Sequence, residues 1–137
     1  MTKDIWINLP VKDVNKSREF FSALGFPLNS RHANNDEMAS LVVGEKNVIV
    51  MLFPEATFEK YTSIKIADTQ LGSEVLFSIG ADCKEEVDEL VSKVEQAGGT
   101  IYSKPSDQGW MCGAGFADLD GHRWNVLYMD LSKMPTQ

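Results

Sequence analysis

Apolar residues recur along this chain at two spacings, one of two residues and one of three to four, and the two alternate in the same order twice. Residues 4–11, DIWINLPV, put Trp6 and Asn8 on one side and Ile5, Ile7 and Leu9 on the other, which predicts a strand. Asp13 then stands where a helix needs an N-cap. Val14, Ser17, Phe20, Phe21 and Leu24 follow on one helical face, and Gly25 suits the left-handed residue that ends a helix. Residues 29–37 are polar and read as a loop or a ragged strand. Residues 38–43 and 47–53, joined by Gly44-Glu45-Lys46, predict a hairpin whose second arm is apolar enough to be covered on both faces. Within residues 54–72, Phe58 and Tyr61 sit three apart and predict a short helix; the rest reads as a connector.

The order then returns. Residues 74–80, EVLFSIG, predict a strand, and Asp82 with Glu85 three positions later forms a capping-box-like pair. Val87, Leu90, Val91, Val94 and Ala97 keep helical spacing until Gly98-Gly99 stops them. Residues 100–102 are short and extended, the stretch that follows is rich in turn formers, and residues 109–117 predict a strand that pairs with the last one. The densest signal is the run FADLDGHRWNVLY, residues 116–128, where Asp120-Gly121 marks a tight turn between antiparallel strands. Past the turn, Arg123, Asn125 and Leu127 share one face and Trp124, Val126 and Tyr128 the other. The second face suits packing under helices, and the first, with its amide, suits a concavity. Strand-helix-strand-strand-strand thus occurs twice, with the capping aspartates 69 residues apart (82 − 13). It is an internal repeat of order rather than of identity, and predicts an α+β fold with two similar halves.

Composition narrows the classes. A chain of 137 residues, 43% apolar, makes one domain or two small modules sharing a core. No apolar run approaches the roughly 20 residues of a membrane helix. The start, MTKDIWINLP, has no basic region followed by an apolar one, so a cytoplasmic protein without membrane attachment is expected. A net charge of −7 argues against nucleic acid as a partner, since binding there needs a basic stripe. Cys83 and Cys112 lack CxxC spacing and imply neither a zinc site nor a disulfide framework. Cys112 reads as a small buried hydrophobe rather than a nucleophile. Gly113-Ala114-Gly115 is too short for a phosphate loop and suits a twisted strand or the close approach of a ligand. His122 reads as a turn histidine, and His32, in the polar loop, has no role.

The Asp-x-Asp-Gly turn before a terminal strand, together with Asn8-Leu9-Pro10-Val11-Lys12-Asp13 and Leu24-Gly25-Phe26 near the start, resembles the vicinal oxygen chelate superfamily. That superfamily includes glyoxalase I, extradiol dioxygenases and the bleomycin- and fosfomycin-resistance proteins. The motifs NLPV, VMLF, EEVDELV, DQGWM and DGHRW are similar to the small bacterial "predicted lactoylglutathione lyase" branch. The resemblance covers nearly all of the chain. It implies two βαβββ modules (about 1–56 and about 73–131, with a linker about 57–72) forming an open, cup-shaped mixed sheet with helices outside, and a homodimer.

It also implies where chemistry would sit. Metal-dependent members hold a divalent ion on four strand side chains, and the ion polarises substrate oxygens. Carried over singly, those positions are Trp6, Met51, Glu74 and Asn125. An indole N–H only donates, a thioether is a poor ligand for a hard ion, and an amide oxygen is a weak one. The expectation is therefore no metal or other cofactor, and a cup lined by Trp6, Asn8, Met51, Phe53, Glu74, Trp110, Phe116 and Asn125 that binds a small, partly apolar molecule, as resistance-type members do. Two alternatives stay open. One is a metal-dependent lactoylglutathione lyase-like or extradiol dioxygenase-like enzyme using Glu74 and a rearranged shell. The other is a non-catalytic structural or interaction dimer.

Overall fold

The two spacings become strands and helices in the computed structural model, which describes residues 1–29 and 37–135. The chain divides into two units, Met1–Asp68 and Thr69–Gln137. No helix among the described residues is long and apolar enough to cross a membrane.

The N-terminal unit runs β1 (Trp6–Val11), α1 (Val14–Ala23), β2 (Ala39–Val43), β3 (Val48–Pro54) and α2 (Glu55–Thr62). Its sheet has the order β1-β3-β2, with β1 parallel and β2 antiparallel to β3, and Leu28 adds an isolated antiparallel bridge to Leu41. Asp13 caps α1 as its sequence position requires, its carboxylate accepting the Lys16 N–H at 3.0 Å, and Gly25 leaves the helix at φ +95°. Register sets the core: Leu9 lies opposite Leu52 and Leu41 opposite Val50, so one sheet face presents four buried aliphatics. Val14, Phe20, Phe21 and Leu24, also buried, supply the apolar stripe of α1 and its end, and α1 packs on β2 and β3. The hairpin loop needs left-handed residues at both ends, Gly44 at φ +77° and Asn47 at φ +55°. Residues 30–36, with most of the polar stretch and His32, lie outside the described residues.

The C-terminal unit completes the βαβββ order with β4 (Leu76–Gly80), α3 (Lys84–Gln96), β5 (Thr100–Asp107), β6 (Met111–Ala117) and β7 (Arg123–Met129), then a 3-10 turn at Leu131–Lys133. The sheet order is β4-β7-β6-β5, with β4 parallel to β7 and the other pairs antiparallel. Val87 and Val91 of α3 pack with Cys112, Ala114 and Val126 as a buried cluster. The α+β class holds, in two mixed sheets.

Three details differ from the sequence pattern. Cys83, not Asp82, is the N-cap of α3, which moves the caps 70 residues apart (83 − 13). Glu86 reaches back instead, its carboxylate accepting the Asp82 N–H at 2.7 Å. Strand β5 runs on through Lys104-Pro105, where a continuous ladder is not expected. It manages this as an edge strand with register shifts between Ile101 and Ser103 and between Ser103 and Ser106, which spare Pro105 a ladder bond. Strand β4 begins at Leu76, so Glu74 precedes the sheet.

Candidate functional site

The turn between β6 and β7 determines which way the last strand faces. Asp118 is buried, and one carboxylate oxygen accepts the Asp120 and His122 N–H groups at 3.0 Å each while the other accepts the Trp124 indole N–H at 3.2 Å. Burial pushes its carboxyl above the ordinary range, against the pull of His122 and of those donors. Gly121, at φ +86°, donates to the Asp118 carbonyl to close the turn. With its nitrogen held, the Trp124 ring lies 4.7 Å from Phe77 and stacks on Phe116 at 6.1 Å with planes 4° apart. Trp124 and Val126 are thereby committed to the α3 side. Arg123, Asn125 and Leu127 take the opposite face.

That opposite face holds a compact polar arrangement. Register places Ser78 of β4 and Gly115 of β6 on either side of Asn125. Tyr102 of β5 lies across Gly115: a Cβ added there would come within 2.5 Å of the Tyr102 Cε1 atom, so only glycine admits the ring. The Tyr102 hydroxyl is 3.1 Å from Asn125 Oδ1 and 3.2 Å from the Trp124 carbonyl oxygen, and its one proton is shared between these two acceptors. Its phenol is pushed up by burial and partly drawn back by Arg123, so it is a neutral donor near pH 7. The Arg123 guanidinium carbon sits 4.4 Å from the centre of the same ring.

The N-terminal sheet also has a face turned away from its core. Trp6, Asn8, Met51 and Phe53 share it, with Asn8 directly opposite Met51 and Pro10 opposite Phe53. Trp6 and Asn8 are exposed, Met51 and Phe53 half-buried. The Phe53 ring lies 5.7 Å from that of Tyr61 of α2.

The cup residues expected from sequence are thus sorted. Trp6, Asn8, Met51 and Phe53 come together on one sheet, and Asn125 faces as its parity requires. Phe116 does not belong with them: it alternates with Gly115, shares the α3 side with Cys112 and Ala114, and is fully buried against Trp124. Trp110 sits in the β5–β6 turn, its carbonyl accepting the Asp130 N–H. That is five residues along from Asn125, roughly 16 Å of strand. Glu74 is exposed in the connector before β4. Cys112 is buried and its thiol pushed up, as suits a packing residue rather than a nucleophile.

Tyr102 and Arg123, which stand beside Asn125 on this face, are not among the residues expected from sequence. The signal for Tyr102 was present in Gly113-Ala114-Gly115. What approaches closely there is the chain itself, Leu127 over Gly113 and Tyr102 over Gly115.

The residues at the superfamily's ligand positions do not suit an ion. Trp6 offers a donor, Met51 a thioether, Glu74 stands off the sheet, and Asn125 already accepts from Tyr102. Among the described residues, no three His, Cys, Asp or Glu side chains are grouped to hold a metal.

Comparison with known proteins agrees with the fold. The chain shares 36% identity with a hypothetical protein of S. aureus of solved structure, at a TM-score of 0.83, covering 93% of this chain and 95% of that one. A glyoxalase/bleomycin resistance protein/dioxygenase family enzyme of Burkholderia phytofirmans is 17% identical at TM-score 0.73, covering 90% and 96%. A genomically encoded fosfomycin resistance protein of Listeria monocytogenes is 17% identical at 0.64, covering 96% and 97%. No functionally curated protein matches the sequence. The family model "Glyoxalase/Bleomycin resistance protein/Dioxygenase superfamily" matches residues 5–126, and with that span, most of its length, the chain belongs to this superfamily.

Proposed function

We propose that this protein binds a small, partly apolar molecule without a metal ion, on the face of the C-terminal sheet turned away from α3. The observation that carries the reading is the Tyr102–Asn125 hydrogen bond. At the position where metal-dependent relatives place a carboxylate, this chain has a neutral amide, a weak ligand for a hard ion, whose oxygen already accepts from a neighbouring side chain. Arg123 and Ser78 extend the polar end of the site. Leu127 and Leu76, on the same face of adjacent strands, offer apolar surface beside it. Membership of a superfamily that includes resistance proteins supports binding over turnover only by analogy; the donor set is the physical argument. The proposal extends to a cytoplasmic homodimer, whose stoichiometry sedimentation analysis would read.

The test is elemental analysis of protein purified without chelators or a His-tag, beside thermal shifts with Ni, Zn, Mn and Fe(II). A bound ion stabilises by mass action, so the expected result is no stoichiometric metal and no rise in melting temperature. Near one equivalent of metal, lost on Glu74→Ala, would sink this reading and restore lyase or dioxygenase chemistry. A panel of small aromatic compounds, followed by tryptophan fluorescence, then searches for the ligand class.

A further inference from the structure

The polar end of the site is rich in donors. Arg123 brings five N–H groups, and it takes part in no ion pair among the described residues. A tyrosine ring attracts a guanidinium but cannot accept its in-plane N–H bonds. The Asn125 oxygen points at the Tyr102 hydroxyl, which turns the two amide N–H donors the other way. Ser78, exposed and directly opposite Asn125 across the parallel β4–β7 pair, adds a hydroxyl.

The cluster is also braced. Gly115 seats the Tyr102 ring, the ring seats Arg123, and the hydroxyl orients the amide. A guanidinium fixed in this way loses less side-chain entropy on binding than a free surface arginine. Of the net charge of −7, only the charges within about 8 Å bear on an anion at this point, because more distant exposed charges are screened at physiological salt.

We propose that Arg123, with the Asn125 amide, forms a carboxylate-binding subsite, and that the ligands of this protein are small carboxylic acids with an aromatic or aliphatic body. The planar fork of arginine takes a carboxylate through two parallel N–H bonds, and the Asn125 amide on the same strand face adds a further donor. Leu76 and Leu127 flank the subsite for the apolar body. This inference rests on the binding reading above and narrows it to one class.

The experiment titrates the full chain with benzoate, with benzamide as its neutral isostere and with phenylphosphonate as a tetrahedral anion. Calorimetry gives affinity, and the Asn125 side-chain amide resonance reports the location. Benzoate is expected to bind about tenfold or more tighter than benzamide, the margin of one charge-assisted pair. Arg123→Met should erase the margin while leaving benzamide binding in place, and Arg123→Lys should keep part of it. Gly115→Ala, which drives the Tyr102 ring off its seat, should lower benzoate affinity severalfold in a protein that still unfolds cooperatively. Equal binding of benzoate and benzamide overturns the carboxylate subsite but leaves small-molecule binding standing. A preference for benzoate that survives Arg123→Met, or for phenylphosphonate over benzoate, also overturns it. No binding by any of the three or by the aromatic panel removes both proposals.

Discussion

The two sheets of this protein repeat each other on one face and part company on the other. In the N-terminal sheet the core face is Leu9, Val11, Leu41, Val50 and Leu52, and in the C-terminal sheet it is built from Cys112, Ala114, Phe116, Trp124 and Val126. Each is packed by one helix, from α1 or α3. The other faces differ in character. One shows Trp6, Asn8, Met51 and Phe53, an aromatic and thioether surface. The other shows Tyr102, Arg123, Asn125 and Ser78, a seated cation with amide and hydroxyl donors. A strand's period of two lets these faces vary independently, because a change on one leaves every residue of the other in place. Core alternation therefore identifies the fold, and the face away from the helix carries what differs between the two halves.

The largest effect should come from breaking the core face of the C-terminal sheet at its centre. Trp124→Ala removes a fully buried indole lying between Phe77 and Phe116 and strands the Asp118 carboxylate oxygen that accepts from it. A cost of about 3–5 kcal/mol is expected from the cavity. Urea unfolding followed by circular dichroism measures it. A loss under about 1 kcal/mol would mean that this face is not the organising one.

Next comes the turn. Asp118→Asn keeps one oxygen for the Asp120 and His122 N–H groups but points an N–H₂ at the Trp124 indole N–H, two donors facing each other. Stability should fall by about 2 kcal/mol. The pH profile supplies the sign. A carboxyl raised by burial holds its proton more tightly folded than unfolded, so between the ordinary carboxylate value and the raised one stability falls as pH rises. Asp107, drawn down by its hydrogen bond to Lys84, and Asp130, drawn down by Ser132, act oppositely and at lower pH. The quantity to measure is thus wild type minus Asp118→Asn from pH 4 upward, which should decline through that window. A flat difference would show that the three donors fully offset burial.

How much of this could be read in the sequence follows the same division. The core faces were legible because alternation and helical spacing report burial directly, and the parity of β7 came out of seven consecutive residues. Phe116 was misplaced because aromatic character suggested a ligand surface, while its register with Trp124 depends on a turn of five residues rather than two. Tyr102 was illegible as a site residue because β5 reaches it through a bulge, and a bulge moves a side chain without leaving a mark in the hydrophobic pattern. Glu74 looked like a strand residue because nothing between it and Leu76 signals a boundary.

The smallest effect tests the comparison from the N-terminal side. Trp6 opens β1 on the face away from α1 and is 57% exposed, whereas Leu9, three residues on and on the opposite face, is buried at 7%. If the faces are independent, removing the larger side chain should matter less than removing the smaller one. Trp6→Ala is expected to change unfolding stability by no more than about 0.5 kcal/mol, as for a surface position, and Leu9→Ala to cost about 2–5 kcal/mol. The inversion of size and cost is what alternation requires, since area already in contact with water contributes nothing when it is deleted. A loss of 2 kcal/mol or more in Trp6→Ala that grows with protein concentration would place the indole in an interface between copies, because stability gained by association depends on mass action. The same loss independent of concentration would place Trp6 in a packed interior. The N-terminal face would then be a second core rather than an exposed face.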